Sequence, residues 1–289
     1  MLIGGHVSTA GGLDKAVERG VELECDAIQI FNQSPRMWRP TRYGPDDFAA
    51  FRQAMAESRL ESVVIHAIYL INPAGGEKEM RQKSLTSLTH ALEVGAGIGA
   101  DGVVVHPGAL KSDARDVALK RAIKFFNEAL ARTEGCDLLL ENNAGSQQLL
   151  GLHFEELGAM IEGVKNDKRV GVCLDSCHLF ASGHEIRTPE ATSALVKQFK
   201  NHVGLERLKC LHLNDSAFGL GDLRDRHANI GDGEIGRKGF EAFLGEPAFQ
   251  KLPALLETPG PDKHGQDRAQ VRLTKRLAAA GVKARQKKR

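Results

Sequence analysis

The sequence predicts an α/β chain folded as a single-domain (β/α)₈ barrel, and three observations carry that expectation. Eight short apolar runs, each ending in or beside a polar residue, recur along the 289 residues. They start roughly 25 to 40 residues apart, the length of a strand plus the helix that returns the chain to the next strand. Segments of helical period separate them, with no Pro/Gly/Ser linker or change of composition that would mark a second domain. Eight such units fill this length as a closed barrel. An open, doubly wound sheet is the alternative, because closure leaves no mark on a sequence.

In chain order the runs are LIGGH (2–6), AIQIF (27–31), VVIH (63–66), VVVH (103–106), LLLE (138–141), VCLD (172–175), CLHLND (210–215) and ALLE (254–257). Val, Ile and Leu dominate them without polar alternation, as in parallel strands buried on both faces under helices. The clearest helix is expected to open at Ser112-Asp113, a favourable N-cap pair, with Leu119, Ala122, Ile123, Phe126, Ala129 and Leu130 on one apolar stripe. Many of the 31 glycines fall between runs. None forms GxxxxGK[ST] or a strand-anchored GxGxxG, so a nucleotide-phosphate loop is not expected.

Hydrophobic residues at 42% and charged residues at 26% exclude disordered, collagenous and coiled-coil chains. The longest uncharged stretch, Ser62 to Gly76, contains His66, Asn72 and Pro73 and is too short and polar to span a bilayer. The N-terminus has neither a basic n-region nor a long apolar h-region, so a cytoplasmic protein is expected. An odd count of five cysteines fits a reducing compartment, and Cys173 and Cys177 are expected in the core rather than on zinc. Net charge is +2, but KARQKKR at the end supplies five positive charges and leaves −3 on the rest. Bulk charge therefore does not argue for nucleic-acid binding. A barrel domain over 1–282 and a solvated basic tail over 283–289 are expected.

In a barrel the reactive face is where the strands end. Six runs end in or just contain a metal-ligating residue: His66, His106, Glu141, Asp175, His212 and Glu257. One such residue is explained as packing; six on one rim put carboxylates together at a cost that cations would offset. His178, three residues past Asp175, and the pair Asp225 and His227 after the seventh run extend the set. Imidazoles and carboxylates without thiolate suit zinc and admit manganese or iron. Nine ligands exceed one tetrahedral ion and fit two or three, the arrangement used for phosphodiester hydrolysis.

The segments GGHVSTAGG (4–12), HAIYLIN (66–72), HPG (106–108), ENNAG (141–145), GVCLDSCHLFASG (171–183), HLND (212–215), DRHANIGDGEIG (225–236) and ETP (257–259) together resemble the endonuclease IV family, the apurinic/apyrimidinic endonucleases. The resemblance implies a TIM barrel with three zinc ions. It implies hydrolysis of the phosphodiester 5′ to an abasic site in duplex DNA during base excision repair, leaving a 3′-hydroxyl and a 5′-deoxyribose phosphate. His66 and His106 would hold the first ion. Glu141 would bridge it to a second, held also by Asp175, His212 and Glu257. His178, Asp225 and His227 would hold the third. Water activated between the first two ions would attack phosphorus, with Glu257 orienting it and Glu141 bridging beneath.

The resemblance also implies that Arg36, Tyr69 and Leu70 enter the DNA minor groove beside a flipped-out abasic nucleotide, the chemistry of a guanidinium, a ring and an apolar wedge. The alternative for Tyr69 and Leu70 is plain burial after the third strand. Trp38 is expected as a packing anchor, His6 as a core or supporting residue, and His90, His153, His184, His202 and His264 at the surface. Gln33, Asn142 and Asn214 are candidates to orient ligands or touch phosphate. Where the family often has a basic residue after HLND-Ser the chain has Ala217, which leaves a phosphate contact there in doubt. Two rival functions remain: a sugar isomerase or epimerase on the same barrel, and a non-catalytic module binding damaged DNA. The third ligand set separates the first rival from the nuclease. A monomer acting on double-stranded DNA that contains abasic or 3′-blocked sites, without membrane association, is expected.

Overall fold

In the computed structural model, which describes residues 1–287, eight parallel strands lie side by side: β1 (Leu2–His6), β2 (Ala27–Phe31), β3 (Ser62–His66), β4 (Gly102–Val105), β5 (Leu138–Glu141), β6 (Val170–Asp175), β7 (Leu208–Leu213) and β10 (Pro253–Leu256). A short antiparallel hairpin, β8 (Asp215–Ser216) with β9 (His227–Ala228), stands between β7 and β10. β10 pairs back onto β1, with Leu2 opposite Pro253 and Gly5 opposite Leu256. The sheet therefore closes, and the open-sheet alternative falls. The strands coincide with the apolar runs; His106 and Glu257 stand on the first residue past β4 and β10.

Strand side chains alternate between the two faces of the sheet. Those pointing into the barrel form a closed apolar layer of Ala27, Val64, Val104, Leu139, Cys173, Cys210 and Leu255, each fully buried. Two residues further along the same strands come Gln29, His66, His106, Glu141, Asp175, His212 and Glu257. The period of two thus stacks a polar layer directly on the apolar one at the C-terminal mouth.

The outward strand faces bury against α1 (Asp14–Glu22), α2 (Pro45–Glu57), α3 (Lys78–Ile98), α4 (Arg115–Leu130), α5 (Phe154–Gly163), α7 (Pro189–His202), α8 (Gly236–Leu244) and α9 (Arg268–Gln286), with a short α6 (Ser176–Ala181) capping β6. Phe51, Phe125, Phe126, Phe199, Phe240 and Phe243 are fully buried in this helical layer, each stabilising it by about 1.5–3 kcal/mol relative to exposure. Ala122, Phe126, Ala129 and Leu130 bury the expected stripe of α4. Its cap differs from expectation: the helix starts at Arg115, Ala114 is the N-cap, and Asp113 instead accepts a hydrogen bond from Arg121 at 2.8 Å. The guanidinium competes for the carboxylate that would have capped.

All five cysteines are buried free thiols. Among the described residues no helix is long and apolar enough to cross a membrane. The segment expected as a basic tail begins inside α9, where Arg285 reaches Glu246 at 2.8 Å; Lys288 and Arg289 lie outside the described residues.

Candidate metal centre at the barrel mouth

Glu141, at the end of β5 and 1% exposed, is the hub of the mouth. Its Oε2 lies 3.3 Å from His66 Nε2 and 3.4 Å from His106 Nε2. Its Oε1 lies 2.9 Å from His212 Nδ1 and 3.5 Å from His178 Nδ1. His212 Nδ1 is also 3.4 Å from Glu257 Oε2. On the far side of His178, Asp225 spans its Nε2 at 3.3 Å and His227 Nε2 at 3.2 Å. Asp175 completes the group, 3.9 Å from His178. All nine candidates are brought to one place.

Local structure explains how distant residues arrive there. Asp175 is the N-cap of α6 and accepts from the His178 backbone N–H at 2.8 Å, so the cap that starts the helix also seats His178 above the carboxylate. The β8–β9 hairpin carries the chain out through 217–226 and returns Asp225 and His227 to the rim. Asp215, fully buried, accepts from the backbone N–H groups of Gly231, Gly233 and Ile235 at 2.9–3.0 Å and fixes the loop beyond.

Backbone carbonyls set the imidazole tautomers. Ala67 O accepts from His66 Nδ1 at 2.6 Å and Asn142 O from His178 Nδ1 at 2.9 Å, which turns both Nε2 atoms toward the carboxylates, where either a proton or a cation can bind them. Asn142 Oδ1 accepts from the Asp175 N–H, and Asn214 donates to Asp175 Oδ2 at 2.6 Å, so two of the expected supporting residues hold one carboxylate. Glu141 Oε2, His106 Nδ1 and His227 Nε2 are buried without a hydrogen-bond partner.

Charge is tightly coupled here. Burial opposes ionisation of Glu141, but His106, His212 and His66 overcome it and hold the carboxyl well below its usual range. Glu257 is likewise pulled down to about 2, chiefly by His212 and His66 against burial. Burial would lower His227, yet Asp225 and Asp175 lift it to about 9. Without ions, protons are what balance the carboxylates.

Donor atoms of His66, His106 and Glu141, of His66, His212 and Glu257, and of His178, Asp225 and His227 each lie within 4.8 Å of one another, close enough to share an ion. The inward-facing imidazole nitrogens and partnerless Glu141 Oε2 fit divalent cations, and the N/O donor set suits zinc, manganese or iron. Cys173, with Cys210 and His212, and Cys177, with Asp175 and His227, lie within the same distance of one another; both thiols are fully buried, and burial pushes them upward.

Tyr69 is 58% exposed, which removes plain burial as its explanation. Its ring packs edge-on against Phe31 at 5.3 Å and His66 at 5.6 Å, and its N–H bonds Pro35 O, tying the β3 loop to the Arg36 loop. Arg36 is exposed, whereas Leu70 and Trp38 pack partly on the core. A cavity of about 630 Å³ opens beside Glu257, lined by His6, Gln33, Tyr69 and Thr258. Burial pushes His6 down to about 4, leaving it neutral. His184, expected at the surface, is instead half-buried and stacked on Phe154 at 5.1 Å, because the loop after α6 folds it back onto α5. Sequence reasoning missed Gln29, fully buried in the polar layer; the one polar residue of AIQIF, on the same face as Ala27, was the sign that pointed to it.

A family model described as a xylose isomerase-like TIM barrel matches residues 17–277. A probable endonuclease 4 of Geotalea daltonii is 39% identical over 273 residues, covering 94% of this chain and 96% of its own. The crystal structure of endonuclease IV from Thermus thermophilus superposes with a TM-score of 0.83 at 36% identity, covering 98% of this chain and all of that one. A D-tagatose 3-epimerase-like protein superposes over 99% of both chains with a TM-score of 0.73 at 19% identity, a likeness of fold alone.

Proposed function

Because this chain belongs to the endonuclease IV family, we propose that it is a hydrolase of DNA repair. It cuts the phosphodiester 5′ to an abasic site in duplex DNA and leaves a 3′-hydroxyl and a 5′-deoxyribose phosphate. The observation that carries this reading is the convergence of four carboxylates and five imidazoles on one rim, with the Nε2 atoms of His66 and His178 turned inward. His66, His106 and Glu141 would hold one zinc ion, Glu141, Asp175, His212 and Glu257 a second, and His178, Asp225 and His227 a third. Bound there, the ions would supply a nucleophile from water near neutral pH and offset charge on the phosphate and the departing oxygen.

The chain's own groups do the rest. Glu141 and Glu257, ionised by their imidazole neighbours, accept hydrogen bonds and hold the attacking water in line. Tyr69 and Arg36 face outward beside the centre, where a ring and a guanidinium fill the gap left by an extruded nucleotide. The cavity beside Glu257 is of the size that receives one small residue rather than a duplex. The His178, Asp225 and His227 group speaks for this reading over a sugar isomerase, and the presence of all nine candidate ligands, carboxylates included, over a binding module. Incubating the protein with a duplex carrying one abasic site tests it. Incision that prolonged chelation abolishes and zinc restores is expected; binding without cleavage would contradict it.

A further inference from the structure

We propose that Gln29 is a positioning residue of this centre: its amide locks His212 as the Nε2–H tautomer, leaving Nδ1 free to bind a cation, and holds Glu257 beside it. The inference rests on the reading that the mouth binds divalent cations. Gln29 is the β2 member of the polar layer and fully buried. An amide presents an acceptor oxygen on one side and two N–H donors on the other, and its neighbours decide which faces where. Glu257 Oε1 lies 2.5 Å from Gln29 Nε2. A carboxylate only accepts, so the amide nitrogen belongs there; the reversed amide would set two oxygens against each other. The second amide hydrogen has an acceptor in His6 Nδ1 at 3.2 Å.

The amide oxygen is then left 2.8 Å from His212 Nε2. It only accepts, so Nε2 carries the hydrogen and Nδ1 presents a lone pair. That lone pair faces Glu141 Oε1 at 2.9 Å and Glu257 Oε2 at 3.4 Å. In the neutral imidazole three electron-rich atoms meet there, the place a divalent cation takes over from a proton. The amide's three partners come from β1, β7 and the end of β10, so Gln29 braces the seam where the barrel closes.

Two measurements test this. In zinc-loaded protein labelled with ¹⁵N at histidine, long-range proton–nitrogen spectra should show His212 protonated at Nε2 and unprotonated at Nδ1; an Nδ1–H form would overturn the assignment without any variant. Zinc affinity, read by chelator competition, should fall about 10- to 100-fold in Gln29→Leu. Gln29→Glu, which keeps an acceptor for His212 but sets a second carboxylate against Glu257, should fall at least as far. A folded Gln29→Leu protein with wild-type zinc affinity would overturn the role of Gln29 alone. Failure of the metal reading looks different, since the wild-type chain would then take up no zinc and both ideas would go. Zinc uptake lost with Gln29→Leu, in a wild type that leaves abasic duplex intact, would sustain Gln29 and sink the nuclease.

Discussion

At the residue scale, exposure and burial separate two kinds of side chain at the mouth. Tyr69 rests its ring edge-on against Phe31 and His66 and leaves more than half of itself in solvent. Removing it should cost binding rather than stability: Tyr69→Ala is expected to weaken abasic-duplex affinity about tenfold, in line with the stacking energy of one ring. Its melting temperature should stay at the wild-type value. Equal affinity of variant and wild type would return Tyr69 to a passive role. Glu257 and His106 behave oppositely, being bound into the carboxylate–imidazole cluster. His106→Ala or Glu257→Gln is expected to abolish incision while circular dichroism stays unchanged, and wild-type turnover in either would overturn the site.

At the scale of elements, the site depends on a loop pinned by one carboxylate and on strands that approach closely. Asp215 gathers the N–H groups of Gly231, Gly233 and Ile235, so Asp215→Ala leaves buried donors unpaired. A loss of about 3 kcal/mol in urea unfolding is expected, with faster hydrogen exchange at those three amides. Unchanged exchange would show that the hairpin holds the loop unaided. At β1, a side chain on Gly4 would sit 1.6 Å from the Ala27 carbonyl oxygen of β2. Gly4→Ala should therefore destabilise the barrel by about 3 kcal/mol, and a wild-type unfolding midpoint would contradict that contact. Legibility in the sequence divides along the same lines. The strands were readable because strands buried on both faces are uninterrupted apolar runs, and the ligands because they stand where those runs stop. Gln29 was hidden because it lies inside a run, two residues short of its end, and only the barrel's period of two reveals its layer. The cap of α4 was misjudged because Asp113 answers to Arg121, a partner two turns away that local spacing does not announce.

At the scale of the whole molecule, closing the barrel concentrates carboxylates and imidazoles that would repel or go unpaired if ions were absent. Protons then take over: His227, near 6.5 in the unfolded chain, rises to about 9 when folded. The folded metal-free chain binds more protons across that window. Its stability is fully present below about pH 6.5 and declines as pH rises through about 9. The zinc-loaded protein should not share that decline, because metal displaces those protons. Thermal unfolding of both forms between pH 6 and 9 checks this, and parallel profiles would contradict it. The central claim, that nine side chains gathered from six strand ends, the short helix α6 and the β8–β9 hairpin trap a cluster of cations, is met most directly by anomalous diffraction at the zinc edge. Crystals of protein purified without chelator should show three peaks, between His66 and His106, between His212 and Glu257, and between His178 and His227. A mouth without anomalous density, beside well-ordered ligands, would contradict it.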